Sequence, residues 1–493
     1  MIIKEMAGPA NSIQLTPSQK EAVSYLKGPL LIIAGPGSGK TEVISSRAAH
    51  LISSGAAQPK NILVTTFTEK AALELKDRIQ RKLPHTNVEL MQVSTIHSFC
   101  YTLLRQFQSA SPFPRGFWVL DEAAQLLFIY SRRKELGLSQ VMKGRESDFY
   151  SSVLQTFNHA TEELVDPDQY IAACQDSLKK ASDEDQADWE EKLQVARAYK
   201  KYLRLLLDSN ATDFSNLQRH TLDMLNHHPE ILRQIQDRYT EVLIDEYQDT
   251  NMVQELILGK IAEPHMHYTV VGDDDQSIYR FRGATVKNIL GFCKKYQKKC
   301  PALKTVKLED NFRSLEPIIN HSGRLIRFNQ KRAPKNLCCH RRDYKNDILY
   351  IHQRTAAQEA QAVVSVLNKL LHDGTIKRYG DIALLLRSVR SYAQPYLEAL
   401  TQKKIPHIVT RDGYFFKRDD ISEIYHLFLF LATSKAWGDK FVRCSIFSFK
   451  KETEAALKKY KKDLTALDSP EKLKNIGVTD PQDREKLAQL IHL

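Results

Sequence analysis

Leu30-Leu31-Ile32-Ile33-Ala34-Gly35-Pro36-Gly37-Ser38-Gly39-Lys40-Thr41 carries the chain from an apolar run through three glycines into a helical pattern that begins Glu42-Val43-Ile44. That is the order a phosphate-cradling loop needs: a buried strand, a turn flexible enough to aim its amides inward, then a helix N-terminus with its partial positive charge. Gly35, Pro36, Gly37, Ser38 and Gly39 form the cradle, and Ala34 takes the place of the usual first glycine. In this pattern Lys40 reaches the β and γ phosphates and the Thr41 hydroxyl ligates magnesium.

A second apolar run, Val242-Leu243-Ile244, ends in Asp245-Glu246-Tyr247-Gln248-Asp249. An acid at the carboxyl end of a buried parallel strand stands where such sheets bind ligands. Asp245 is the candidate magnesium carboxylate, and Glu246 the candidate group that orients and deprotonates an attacking water. Acidic pairs after strands also occur as solvated turns, so this pair gains its meaning from the loop upstream.

At 493 residues the chain exceeds one ordinary core and calls for several domains. No apolar run reaches the roughly 18 residues of a membrane span, and the N-terminus Met1-Ile2-Ile3-Lys4-Glu5-Met6 lacks a signal-peptide pattern. The expectation is a soluble cytoplasmic protein with no membrane partner. Seven cysteines without framework spacing suit a reducing compartment. An excess of 71 basic over 59 acidic residues favours a polyanionic partner such as nucleic acid.

Short apolar strands alternate with amphipathic helices through residues 15–105, and strand signals return at Glu241–Ile244, Tyr268–Val271 and Thr305–Leu308, the mark of a parallel α/β sheet. Between about Ser111 and Thr212 a charged helical periodicity replaces them, which predicts an inserted helical subdomain. A second alternation follows Asn311, with strands expected at Asp347–Ile351, Ile382–Leu386 and Ile405–Val409. Beyond Trp437 the chain turns lysine-rich.

Further segments arrive in a fixed order: Leu15-Thr16-Pro17-Ser18-Gln19, Thr65-Thr66-Phe67-Thr68-Glu69-Lys70-Ala71-Ala72, Thr95-Ile96-His97-Ser98-Phe99, Val271-Gly272-Asp273-Asp274-Asp275-Gln276-Ser277-Ile278-Tyr279-Arg280-Phe281-Arg282-Gly283-Ala284, and Leu308-Glu309-Asp310-Asn311-Phe312-Arg313-Ser314. With the two nucleotide motifs, this set resembles the UvrD, Rep and PcrA group of superfamily 1 DNA helicases over roughly residues 13–430. The resemblance implies an α/β fold of two RecA-like P-loop NTPase domains, the second incomplete, with an inserted helical subdomain. Its expected limits are 1–110 and 213–305 for the first motor domain, 111–212 for the insert, 306–436 for the partial second domain, and 437–493 for the lysine-rich start of a second insert.

The same resemblance implies ATP and Mg2+ as cofactors and single-stranded or partly duplex DNA as partner. Gln19 then reads the adenine edge, Phe312 stacks on the adenine ring, and Gln276 senses the γ-phosphate. Arg313, taken as part of the second α/β domain, contacts that phosphate across an interdomain cleft. Thr66, Phe67, His97 and Phe281 fall where the family places groups against a single strand; stacking a base on an aromatic ring contributes about 1–3 kcal/mol without regard to sequence. Phe281 replaces a frequent tryptophan, and His97 reads equally well as a polar group capping a strand end.

Two motifs that the family carries near its C-terminus are absent after Arg387. Two functions therefore stay open: an ATP-dependent DNA helicase or translocase of 3′ to 5′ polarity, and a truncated fragment that binds ATP and DNA but turns over weakly or needs a separate chain to supply the absent motifs.

Overall fold

The computed structural model describes residues 14–113, 116–140, 146–278, 283, 285–340, 348–409, 450, 452, 453, 455, 456 and 470–492. It divides into two compact units, one ending at Ile348 and one beginning at Leu349.

The first unit is built on six parallel strands. In chain order the strands are β1 (Leu30–Ala34), β2 (Ile62–Thr66), β3 (Gln92–Thr95), β4 (Trp118–Leu120), β5 (Ala211–Asp213), β6 (Glu241–Ile244), β7 (Tyr268–Gly272), β8 (Lys304–Leu308), β9 (Asp310–Asn311) and β10 (Cys338–Cys339). The main sheet has the order β3-β2-β6-β7-β1-β8. Helices cover both faces, so the inner strands are apolar throughout rather than alternating. Side chains partition by parity: Leu31, Ile33, Leu63, Val242, Ile244 and Val270 join one core, while Leu30, Ile32, Val64, Leu243 and Val271 join the other.

Parallel strands all end on the same edge, and that fact assembles the site. The loop after β1, Phe67 after β2, His97 after β3, Asp245 after β6, Asp273–Gln276 after β7 and Glu309–Arg313 after β8 meet there although they are far apart in sequence.

The helical insert forms as the periodicity predicts, with helices Glu122–Ser131, Glu146–Glu162, Pro167–Lys180 and Asp183–Asp208. Ile129, Phe157, Tyr199 and Tyr202 lie in its own core. Its two ends are zipped together by β4 and β5, which pair Trp118 with Ala211 and Leu120 with Asp213. The sequence reading did not foresee that ladder.

Strand β8, which straddles the expected domain limit at residue 306, is the edge strand of the first sheet, with Leu30 opposite Lys304 and Ala34 opposite Leu308. The chain stays with the first unit up to Ile348, because β9, β10 and the helix Glu316–Ile326 continue from that edge. In the second unit, the segments expected as strands at 347–351, 382–386 and 405–409 form no ladder among the described residues. Leu385 and Ile408 there are 92% and 94% exposed, and no strand among the described residues covers them. What does pack is a helix pair, Ala356–His372 against Gln394–Gln402, through Ala360, Val364, Leu367 and Leu400. In the C-terminal stretch, the helices Pro470–Asn475 and Pro481–His492 are described, and of the lysine pairs Lys450-Lys451, Lys458-Lys459 and Lys461-Lys462 only Lys450 lies among the described residues.

Candidate functional site: a phosphate loop and its acidic partners

Gly39 caps the helix Lys40–Ser53 in a left-handed conformation (φ 83°), which leaves the first amides of that helix facing the loop's hollow. Gly37 is also left-handed (φ 69°). The loop is braced from three sides. Ser38 Oγ donates to the Gly35 carbonyl at 2.7 Å. Asn311 Nδ2 donates to the Pro36 carbonyl at 2.6 Å, and the Phe312 amide donates to the Gly37 carbonyl at 2.9 Å. Gln19 Nε2 donates to the Ser38 carbonyl at 3.0 Å.

Gln19 owes its place to a capping box. Thr16 caps the helix Pro17–Ser24, and its amide donates to Gln19 Oε1 at 3.0 Å. Arg47 holds that helix on the sheet: its buried guanidinium donates to Thr269 Oγ1 and to the carbonyls of Ala22, Val23 and Tyr25. Burial depresses its pKa to about 10.

Opposite the loop, Asp245 is buried at the end of β6. Burial, and then the neighbouring Glu246 carboxylate, raise its pKa to about 7. Glu246 sits at φ 51°, ψ 46°, a left-handed conformation costly for a residue with a Cβ and of the kind concentrated at functional sites. Its Oε2 lies 3.1 Å from Lys40 Nζ and accepts from Gln248 Nε2 at 2.9 Å. Gln248 Oε1 in turn accepts the Asp273 amide at 2.9 Å, which ties the turn after β6 to the turn after β7.

Thr41, Asp245, Glu246, Asp249, Gln276, Thr66 and Phe67 line one cleft of about 500 Å³. The donor set suits a hard divalent cation, since Thr41 and Asp245 both bring oxygens to the cleft's lining. A further sign is the Oδ1 atom of Asp249, buried in the same wall without a hydrogen-bond partner.

A family model described as the UvrD/REP helicase N-terminal domain matches residues 15–297, and one described as the UvrD-like helicase C-terminal domain matches 306–462. The chain belongs to the UvrD/Rep helicase family. It is 33% identical over 416 residues to the ATP-dependent DNA helicase PcrA of Staphylococcus aureus (strain Mu50 / ATCC 700699), covering 84% of this chain and 53% of that protein. It is 34% identical over 410 residues to the ATP-dependent DNA helicase PcrA of Bacillus subtilis (strain 168), covering 83% of this chain and 52% of that protein. The chain thus spans about half the length of the curated relatives it matches.

Several residues assigned by family resemblance gather at this edge. Arg313 falls within residues 306–462 matched by the C-terminal-domain model, yet it packs in the first unit, where a methyl group on Gly37 would come within 2.6 Å of its Cβ. Phe312, beside it, is 41% exposed and meets the His340 ring at 4.7 Å with the two planes tilted by 35°. Gln276 donates to Asp273 Oδ2 at 2.7 Å. Both ends of the Gln19 carboxamide are engaged with protein, so an adenine contact by this residue requires exchanging one of those bonds.

Thr66, Phe67 and His97, the residues expected to meet a single strand, line a small recess that shares Asp245, Glu246 and Asp249 with the cleft. The Gln218 side-chain amide lies 2.7 Å from His97 Nε2, and Phe214 meets the ring edge-on at 5.4 Å. Burial holds the His97 pKa down to about 4, so the ring is neutral and accepts that bond. Phe281 lies outside the described residues. Gln248, Asn311 and Arg47 escaped the sequence reading. Gln248 and Asn311 stand inside quoted motifs, where their spacing from Glu246 and Arg313 was available as a clue.

Proposed function

We propose that this chain is an ATP-hydrolysing DNA motor of the UvrD-like group, a helicase or translocase acting on single-stranded or partly duplex DNA with 3′ to 5′ polarity. The observation that carries the reading is the 3.1 Å pairing of Lys40 with Glu246 beside the buried Asp245, in a cleft that also exposes Gln276 and Phe67.

The cradle of Gly35 to Gly39, with the helix N-terminus behind it, binds the triphosphate, and Arg313 and Gln276 supply further polar contacts to its outer end. Thr41 and Asp245 would hold the magnesium ion, whose charge balances the β and γ phosphates. A γ-phosphate oxygen competes with Glu246 for Lys40. Because both the Lys40 and the Gln248 contacts fall on Oε2, Oε1 of Glu246 is the oxygen placed to take the proton of an attacking water. Gln248 keeps that carboxylate turned toward the cleft, while Asp249 and Thr66 make the wall common to the hydrolytic side and the strand-binding side. A base stacked near Phe67 therefore lies beside the reacting acids, since Phe67, Asp245 and Glu246 line both the cleft and the recess. That closeness supports DNA-dependent hydrolysis.

The test is ATP turnover by the purified chain with and without single-stranded DNA, beside Lys40→Ala. We expect stimulation by DNA in the parent and its loss in the variant; DNA-stimulated turnover that survives Lys40→Ala would refute the assignment. Unwinding of duplexes with 3′ or 5′ tails tests the polarity. A second reading, a partner-dependent fragment that binds ATP and DNA but turns over slowly, draws support from the segments at 382–386 and 405–409, which find no strand partner among the described residues. Tight nucleotide and DNA binding without stimulation would favour it.

A further inference from the structure

Asp273, Asp274 and Asp275 place three carboxylates close together in the turn after β7. A cluster of this kind repels itself unless a cation sits in it. Here the cation belongs to the chain. Lys335 Nζ lies 2.7 Å from Asp273 Oδ1, 2.6 Å from Asp274 Oδ1 and 2.8 Å from Asp275 Oδ2, with its side chain only 2% exposed. Arg332 forks onto Asp275 at 2.9 and 2.6 Å, and the Ala333 amide donates to Asp274 Oδ2 at 2.7 Å. Just beyond, Leu337 packs so tightly on the phosphate loop that a methyl group on Gly35 would meet its Cδ2 at 2.1 Å, and β10 pairs with β9.

Asp273 is the hub. One oxygen is held by Lys335, the other accepts from Gln276 Nε2 at 2.7 Å, and its amide donates to Gln248, which holds Glu246. We infer that Lys335 is a positioning residue: by neutralising the three aspartates it fixes the turn, and through Asp273 it aims Gln276 into the nucleotide cleft. A lysine that merely filled a core gap would have no reason to meet three carboxylates at bonding distance. The inference rests on the ATPase reading for its catalytic consequence, and its structural half stands apart from that reading.

Two measurements on the full chain test it. In hydrogen exchange, the amides of Asp275 and Gln276, which bond to Asp273 Oδ1 and to the Asp273 carbonyl, should exchange at least about tenfold faster in Lys335→Met, with the helix Lys40–Ser53 unchanged. Unchanged exchange in the turn, or equal acceleration in both places, overturns the inference. In turnover, Lys335→Met should lower kcat about tenfold or more with little change in KM, and should cost less than about twofold when Gln276 is already alanine, because the lysine then has nothing left to aim. Equal losses in both backgrounds, or none in the parent, overturn it. If the parent does not hydrolyse ATP, the functional reading has failed and the exchange result alone decides. Should Lys335→Met lose its cooperative melting transition, Lys335→Gln takes its place in both measurements.

Discussion

Replacing Gly37 by alanine probes the contact between the phosphate loop and residues 311–313. Two costs add. The backbone at φ 69° is left-handed, which charges an L-residue about 1–2 kcal/mol. The new methyl would also stand 2.6 Å from Arg313 Cβ and 3.0 Å from Asn311 Oδ1. Neither neighbour is the loose end of a side chain: Phe312 is bonded through its amide to Gly37, and Asn311 to Pro36. Relieving the clash must part the two segments, an overpacking penalty of about 1–3 kcal/mol. Gly55 supplies the control, because its φ is 74° and nothing lies within 4 Å of the place its methyl would take. Gly55→Ala should therefore show the dihedral cost alone. The assay is binding of a fluorescent ATP analogue, together with urea unfolding of both variants. A loss of 2 kcal/mol weakens binding about thirtyfold, and Gly37→Ala should reach at least that while Gly55→Ala binds as the parent does. If the two variants unfold alike and both bind normally, the stitching of Arg313 to the loop is not what holds the cradle.

Glu162, at the end of the insert's helix Glu146–Glu162, has a pKa raised by burial, and further by Asp213, to about 7 against an ordinary 4.5. The folded state therefore holds a proton that the unfolded state releases between those values, and stability attributable to this group is lost as pH rises through about 7. Glu162→Gln, which keeps a carbonyl for the Ser215 hydroxyl, should be more stable than the parent by about 2–3 kcal/mol at pH 8 and no more stable at pH 4, measured by urea midpoints. An advantage that did not change with pH would contradict this account. Arg47→Met should destabilise the first unit by about 3 kcal/mol, since it strips donors from buried carbonyls on the helix that carries Gln19. Thermal unfolding reads the loss, and a melting point within a degree of the parent's would count against the clamp.

The first sheet was legible because its strands are apolar runs ending in glycine, acid or hydroxyl residues, and parallel order then placed Lys40, Phe67, His97, Asp245, Gln276 and Arg313 on one edge. The helical insert was legible from periodicity. What stayed hidden depends on pairing, which no single segment reports. Thr305–Leu308 reads as a strand in isolation, yet only its register against Leu30–Ala34 reveals that it closes the first sheet. Ile382–Leu386 and Ile405–Val409 have the composition of strands, but composition does not report the neighbour a ladder needs, and among the described residues neither segment has one. Lys335 lies in a stretch with no motif, and its role appears only when the turn after β7 folds against it. Arg47 reads as an ordinary helix-surface arginine until the helix Pro17–Ser24 is laid across it.

The ladder between β4 and β5 also bears on how such a chain finds its fold. The interior neighbours β2 and β6 must join residues separated by the whole insert and the segments that flank it, a long search for an open polymer. Once Trp118 meets Ala211, that excursion is short-circuited, and the two halves of the sheet are tethered by a stub of chain rather than by a loose hundred-residue thread. The insert's helices, whose contacts are largely local, can thus assemble early and hand the later strands to the earlier ones, so that a decoration on the motor becomes the device that shortens its folding path.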